Sequence, residues 1–184
     1  MKTFKTILAA VLFLTVSNGL MAQTTDNSTI IARASVIQPI EVNSDQELLF
    51  GTVIAGITKT IDLNGDAVEG GITSISGAVE TQAGRFIVSA AATSGVALNF
   101  TFPSNLENSG ELLPIKDFVT GFVNDAQEVV EFAAPGTHSF TSFPQNNVAD
   151  DNAIYVLVGA TVDPDANQAP GNYSGTIILT AEYN

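Results

Sequence analysis

Residues 154–184 read IYVLVGATVDPDANQAPGNYSGTIILTAEYN, and this C-terminal stretch decides the fold. Apolar residues alternate with other residues from Ile154 to Val162, and again from Tyr173 to Tyr183. A side-chain period of two with many β-branched and aromatic residues is typical of β-strands. Residues 163–172 between them are rich in Asp, Asn, Pro and Gly, which favour turns. The stretch therefore predicts a terminal pair of strands, a hairpin that seals the domain.

The rest of the chain repeats this pattern in shorter pieces. Asn64-Gly65 is a strong tight-turn dipeptide, residues 104–115 and 144–152 are predicted to be polar connections, and no window keeps a helical apolar stripe with caps. The sequence therefore predicts one all-β domain, an antiparallel β-sandwich of the immunoglobulin-like or Greek-key type, over residues 30–184. The predicted upstream strands are Ile30–Ile37, Glu47–Gly51, Thr52–Leu63, Arg85–Ala90, Val96–Phe102, Phe118–Val123, Gln127–Phe132 and His138–Phe143.

The first 22 residues have the composition of a signal peptide. Lys2 and Lys5 precede an apolar run from Ile7 to Val16, and Leu20-Met21-Ala22 offers a small residue for cleavage. The apolar run is shorter than the ~20 residues that span a bilayer. We therefore expect residues 1–22 to be removed, residues 23–29 to form a flexible leader, and the mature protein to reach the periplasm, the cell surface or the medium without membrane insertion.

The expected mature chain is strongly acidic and contains no cysteine. After residue 22 it carries 4 basic residues against 19 acidic ones, a net charge of −15. Such a surface repels nucleic acid and anionic lipid, so neither is an expected partner. A disulfide framework is excluded as well, and a chain of this length buries enough surface to fold without one. The charge is interpreted as a solubility feature, with cation binding at acidic loops as the alternative.

Several segments together resemble a known family. The segments are Tyr155–Val162, Gln168–Thr176, the closing strand at Tyr183, Leu48-Leu49-Phe50-Gly51 after Pro39-Ile40, and Arg85-Phe86-Ile87-Val88. They are similar to the exported domain family DUF4402, and more distantly to fimbrial and spore-coat-U-type subunits. The resemblance implies an immunoglobulin-like sandwich exported by Gram-negative bacteria, often of the Bacteroidetes type, without catalytic residues. It implies structural roles for Gly51, Gly159, Gly171, Tyr173 and Tyr183.

The turn Pro170-Gly171-Asn172-Tyr173 has two interpretations. It is similar to the tyrosine corner of Greek-key sandwiches, in which the phenol bonds to nearby backbone. The alternative is an ordinary buried aromatic residue after a tight turn.

The sequence offers little catalytic or metal-binding chemistry. His138 is the only histidine and lies outside any nucleophile motif, so we expect no enzyme activity and no catalytic residues. One histidine without cysteine cannot build an ordinary zinc site. Calcium is the one cofactor considered, with Asp163, Asp165 and Asn167 as candidate oxygen ligands and Asp150-Asp151 as possible additions. The competing interpretation is a solvated loop that binds no cofactor.

These observations favour a non-enzymatic structural or cell-surface protein, a fimbria-like or extracellular-matrix subunit that self-associates or binds other surface proteins through edge strands. Ile30–Ile37 is either the first strand of its own sandwich or a strand donated to another copy. The alternative function is an adhesion or binding module for a surface ligand or glycan, although the chain has no Trp and only three Tyr for sugar stacking.

Overall fold

The computed structural model describes residues 26–69, 80–144 and 152–184, and the chain divides into two units, residues 1–36 and 37–184. In the first unit, residues 26–36 form no regular secondary structure and are all exposed. The predicted strand Ile30–Ile37 is therefore wrong. Alternation gives a segment two faces, but a strand also needs a partner for its backbone N–H and C=O groups. This segment belongs to no ladder among the described residues. The predicted signal peptide, residues 1–22, lies outside them.

The second unit is built from antiparallel strands, and its described residues contain no α-helix. The all-β prediction is confirmed. The described residues of this unit form eleven strands: β1 (Glu41–Gln46), β2 (Lys59–Ile61), β3 (Ala67–Glu69), β4 (Gly84–Ser89), β5 (Val96–Thr101), β6 (Asn105–Asn108), β7 (Glu111–Val123), β8 (Val129–Glu131), β9 (Thr137–Phe140), β10 (Ala153–Val162) and β11 (Ile178–Tyr183).

Strand β10 is the centre of the larger sheet, which contains eight strands. Residues 156–158 pair with β4 and β7 at once, and residues 161–162 pair with β2 and β7. Strand β7 therefore occupies one edge of β10, while β4 and β2 share the other. Every residue of β10 except Tyr155 is buried, which fits a near-continuous apolar sequence. Strands β1 and β3 lie outside β4 and β2, and β6 and β8 both pair with β7.

The smaller sheet has the order β11-β5-β9, so β10 and β11 do not pair with each other. The prediction of a terminal hairpin is wrong. Residues 163–177 are longer than the two to five residues of an ordinary hairpin loop, and they carry the chain from the large sheet to the small one. Alternation correctly places Leu179, Ala181 and Tyr183 on the core side of β11, but it does not identify the neighbouring strand.

The two sheets pack face to face around one apolar cluster, which confirms the β-sandwich. Strand β10 contributes Ile154, Val156 and Val158, each fully buried, and fully burying such a side chain is worth about 1.5–3 kcal/mol. The remaining buried members of the cluster are Val88, Ala90, Val96, Leu98, Phe100, Phe132, Phe140, Phe143 and Leu179.

A second cluster continues along the same face of β10. Ala160 and Val162 pack there with four other buried residues, and the half-buried Tyr173 and Phe118 contact them. Tyr173 belongs to the 163–177 connection, so this connection helps to cover the part of the large sheet that holds the second cluster. The other buried members are Phe50, Ile61, Leu113 and Ile115.

A β-bulge in β7 changes which of its residues face the core. Gly159 pairs with Val119 and Thr161 pairs with Lys116, so Ala160 stands opposite two residues, Asp117 and Phe118. Asp117 has a φ of 49°, which an aspartate tolerates better than most side chains. Odd-numbered residues face inward before the bulge and even-numbered residues after it. Phe118 can therefore turn inward and stack on Phe102, with ring centroids 4.1 Å apart.

Residues 104–115 were predicted to be a polar connection. This prediction is wrong, because these residues contain β6 and the start of β7. Asn108 pairs with Glu111 across the two-residue turn Ser109-Gly110, and both turn residues have positive φ, 52° and 94°. That combination is the type I′ geometry of tight hairpins. The Ser-Gly dipeptide was the sequence signal for this hairpin.

Two further strand predictions are wrong or incomplete, and one strand was not predicted. Residues 47–51 contain only an isolated bridge from Leu49 to Gln82, and only Lys59–Ile61 of the predicted strand Thr52–Leu63 is extended in the sheet. Strand β1 was missed because EVNSDQ is a polar edge strand without apolar alternation. The predicted turn at Asn64-Gly65 is confirmed, since it joins the paired strands β2 and β3.

Candidate functional site

The only histidine, His138, is engaged in aromatic packing. Its ring stacks on Phe132 at a centroid distance of 3.8 Å and an interplanar angle of 7°, and it meets the edge of Phe140 at 4.6 Å. Burial lowers the pKa of His138, because desolvation disfavours the imidazolium. The imidazole ring is therefore held between Phe132 and Phe140, as a packing residue of the small sheet.

The carboxylate of Asp163, the first candidate calcium ligand, already has two protein partners. One oxygen accepts a hydrogen bond from Thr58 Oγ1 at 2.7 Å, and the other forms an ion pair with Lys116 Nζ. The hydrogen bond from Lys116 lowers the pKa of Asp163, and the same bond raises the pKa of Lys116. Both partners come from distant parts of the chain, so the sequence around Asp163 gives no sign of them.

The other two candidate ligands, Asp165 and Asn167, are exposed and line a polar groove of about 370 Å³. Glu111, Leu112, Ala166 and Gln168 line it as well. Within the described ranges, no group of three or more His, Asp or Glu side chains is placed to hold a metal ion. Asp150 and Asp151 lie outside those ranges. Calcium binding stays a prediction, and it would require an ion to compete with Lys116 for Asp163.

Tyr173 forms the hydrogen bond that defines a tyrosine corner. Its phenol donates to the carbonyl of Ala169 at 2.7 Å and accepts from Gln168 Nε2 at 2.8 Å. The same Gln168 amide donates to the carbonyl of Leu112 at 3.0 Å. Of the two interpretations of this turn, the one with a phenol-to-backbone bond matches the structure. Gly171 lies in this turn, where a Cβ would collide with the side chain of Asn108.

Gly159 creates a recess on the outer face of the large sheet. A Cβ at this position would collide with the carbonyl oxygen of Ile61 and would lie 2.9 Å from Val119 Cγ2. Gly121 in the neighbouring strand leaves similar room, since a Cβ there would lie 2.9 Å from Leu63 Cδ1. The loop after β2, with the buried Leu63, therefore packs closely on this face. Gly51, in contrast, lies in a loop with a φ of 64°.

Tyr183 ties the end of β11 to two other segments. Its phenol accepts a hydrogen bond from the amide of Ala91 at 2.8 Å and donates to the carbonyl of Gln38 at 2.6 Å. Ala91 follows β4, and Gln38 precedes β1. This side chain therefore fixes where the chain enters the domain relative to its last strand.

The segment Ile30–Ile37, called the N-terminal segment below, exposes large apolar side chains. Ile30 is 96% exposed, Val36 94% and Ile31 78%, and Ile37 is 55% exposed. Folded proteins rarely leave several large apolar side chains this exposed on one short segment unless the segment contacts a partner. This segment is the described feature that packing within the domain explains least.

The described basic residues differ in whether their charge has a partner. Arg85 pairs with Asp45 and lies 4.3 Å from the ring centre of Tyr155, and Lys116 pairs with Asp163. Lys59 is only 4% exposed and donates to the carbonyl of Thr52 at 3.0 Å. Among the described basic side chains, the exposed Arg33 in the N-terminal segment is the one with neither an ion pair nor burial.

No helix in the described part of the chain is long and apolar enough to cross a membrane.

Comparison with known proteins gives the family. A search of curated proteins finds no match. The family model described as domain of unknown function DUF4402 matches residues 40–183, which include all eleven strands. The chain therefore belongs to the DUF4402 family.

Proposed function

We propose that this protein is a non-enzymatic, exported structural subunit of the cell surface or extracellular matrix, and that it self-associates through its N-terminal segment. The observation that carries the proposal is the exposure of Ile30, Ile31 and Val36 on a segment outside the strand ladders. Transferring such side chains from water into an interface is favourable in proportion to the apolar area removed.

The packing of His138 and Asp163 supports a structural role. A general base has to be free to reach a substrate proton, whereas the ring of His138 is stacked on Phe132 and the carboxylate of Asp163 is paired with Lys116. Export is proposed from the composition of residues 1–22. Intact mass and N-terminal sequencing of the protein from its native cells test it, with a start near Gln23 as the expected result.

Self-association is tested by sedimentation and light scattering of the processed chain, which starts near Gln23, over a wide concentration range. We expect oligomers whose share rises with concentration. Deleting residues 23–37, or replacing Ile30, Ile31 and Val36 together by Ser, should leave monomers with an unchanged melting temperature. The triple replacement is the matched control for the deletion, because it keeps chain length. Monomers of the unaltered chain at every concentration would refute the proposal.

A binding module is the second candidate, and the groove between Glu111-Leu112 and Asp165–Gln168 is the observation that favours it. Leu112 is 49% exposed at its wall, which offers an apolar contact beside amide and carboxylate groups. A glycan array distinguishes the two candidates. Binding that Leu112→Ser abolishes, in a chain that stays monomeric, would favour the module.

A further inference from the structure

We propose that the N-terminal segment of one copy adds as an antiparallel strand to the outer edge of β11 in a second copy, with Ile37 opposite Ile178. This inference rests on the self-association proposed above and names its acceptor. Strand addition to a sheet edge is a general mode of protein association, in which backbone hydrogen bonds supply affinity and side chains supply specificity.

Strand β11 is the best acceptor among the described edge strands. Only β1 and β11 are edge strands of six residues, since β3, β6, β8 and β9 have three or four. Strand β1 shifts register between Ser44 and Gln46 and exposes Glu41, Asn43 and Asp45, and such irregular, charged edges resist pairing. Strand β11 is regular over its whole length and exposes Ile178, which is 51% accessible.

The outer backbone groups of β11 pair with no described strand, and β1 lies beside this edge without pairing to it. The amide of Asn184 donates to the carbonyl of Gly95, next to the end of β5. In antiparallel pairing the backbone groups of successive residues point to opposite sides, so residues 178, 180 and 182 face β5. The N–H and C=O groups of Leu179, Ala181 and Tyr183 therefore point to the outer edge, where no described strand pairs with them.

The side chains of the two segments match when they run antiparallel with Ile37 opposite Ile178. On the outer face Ile37 meets Ile178, Ser35 meets Thr180, and Arg33 meets Glu182. On the inner face Val36 meets Leu179, Ala34 meets Ala181, and Ala32 meets Tyr183. Apolar, hydroxyl and opposite-charge pairs are the cross-strand combinations that stabilise sheets. The match also gives the unpaired Arg33 an acidic partner.

This register requires a second copy of the chain. Within one chain, the Tyr183 phenol bonds to the carbonyl of Gln38, the residue directly after the segment. That bond places the end of the segment beside Tyr183, whereas the proposed register needs it beside Ile178, about 17 Å away along a six-residue strand. A segment folding back on its own β11 would run parallel and set Arg33 near Ile178 and Ile37 near Glu182, a poor match.

Disulfide trapping tests the register directly, because the native chain contains no cysteine. In the proposed pairing, residues 37 and 178 form a non-hydrogen-bonded pair with Cα atoms about 4.5 Å apart, within the range that a disulfide spans. The variant Ile37→Cys with Ile178→Cys should oxidise to a ladder of dimers and larger species on a non-reducing gel. Both positions are about half exposed, so neither change should prevent folding.

The matched control is Ile37→Cys with Glu182→Cys, which tests the parallel register and should give no ladder. A crosslinked monomer of the first variant would overturn the proposal, as would equal ladders from both variants. Absence of a ladder while light scattering still shows oligomers would overturn β11 as the acceptor and leave self-association standing. Monomers of the unaltered chain would overturn both.

Charge exchange provides a second readout without cysteines. Arg33→Glu and Glu182→Arg should each weaken association at low salt by placing like charges opposite each other. The chain with both changes should associate as strongly as the unaltered chain, because opposite charges again face each other. Failure of the double variant to recover, with melting temperatures unchanged, would contradict the proposed pairing of these two residues.

Discussion

Strands β10 and β11 have similar alternating sequences, yet they occupy opposite kinds of position. Strand β10 pairs along both edges and is buried everywhere except at Tyr155, whereas β11 pairs along one edge only among the described residues and leaves Ile178, Thr180 and Glu182 exposed. The difference shows that alternation determines which side chains face the core, while the number of partners depends on chain segments far away. It also predicts that the two strands respond very differently to substitution.

The largest expected effect is in β10, at Gly159. Gly159→Val should lower the free energy of unfolding by about 3 kcal/mol, because the new side chain collides with the Ile61 carbonyl and the neighbouring Val119. Urea unfolding of both variants measures the contrast. The matched change in β11, Ile178→Thr, should stay within about 0.5 kcal/mol of the native value, since half of Ile178 is already exposed. Equal losses at the two sites would show that the edge strand is as constrained as the central one.

The next effect concerns the connection between the two strands. Tyr173→Phe removes the hydroxyl that bonds to Ala169 and Gln168, and we expect a loss of about 1–2 kcal/mol in unfolding free energy. Thermal unfolding by calorimetry measures it. Tyr183→Phe in β11 is the paired variant, because it also removes two hydrogen bonds. A Tyr173→Phe protein as stable as the native one would mean that the corner is dispensable for the crossing between sheets.

The stability of the protein should depend on pH through His138, which lies in strand β9 of the smaller sheet. The pKa of His138 is lowered from 6.5 in the fold by burial, so the folded state favours the neutral ring. The stabilising contribution is complete above about pH 6.5 and is lost as pH falls toward the lower folded pKa. The stability of the native protein should therefore decrease relative to that of His138→Phe between about pH 7 and 5.

Denaturant unfolding of both proteins at several pH values measures the difference in their free energies of unfolding. The carboxylates titrate in both proteins, so their contribution cancels in this difference. A difference independent of pH over that range would argue against burial of a neutral His138.

The smallest expected effect is at Lys59, in β2 beside β10. Burial lowers the pKa of Lys59, which means that the fold carries a desolvation cost for the charged amine. Lys59→Met keeps the apolar stem, so we expect an equal or slightly higher melting temperature. Lys59→Gln is a polar control that keeps a donor for the Thr52 carbonyl. A clear drop for Met but not for Gln would show that the hydrogen bond outweighs the desolvation.

Sequence patterns identified the all-β class, the inward faces of β10 and β11, and the turn at Asn64-Gly65, because each depends on neighbours within a few residues. They did not show that β10 and β11 lie in different sheets, since the sequence does not specify which strand fills each edge. The ion pair of Asp163 with Lys116 was missed for the same reason. The segment Ile30–Ile37 has the periodicity of a strand but pairs with no strand in the described part of the chain, and the proposed function addresses this mismatch.

The bulge at Asp117 lets strand β7 hold one extra residue while both of its halves keep their apolar side chains on the core side. If Asp117 were kept but the bulge were lost, uninterrupted alternation would turn one half of the strand the wrong way round: either Leu113 and Ile115, or Phe118 and Thr120, would face water. Removing Asp117 itself would instead give a regular one-to-one register with Leu113, Ile115, Phe118 and Thr120 still on the core side, so a one-residue deletion here needs no compensating change in the opposing strand. A sequence designed for this scaffold must therefore assign core positions separately on each side of Asp117, with odd-numbered residues inward before it and even-numbered residues inward after it.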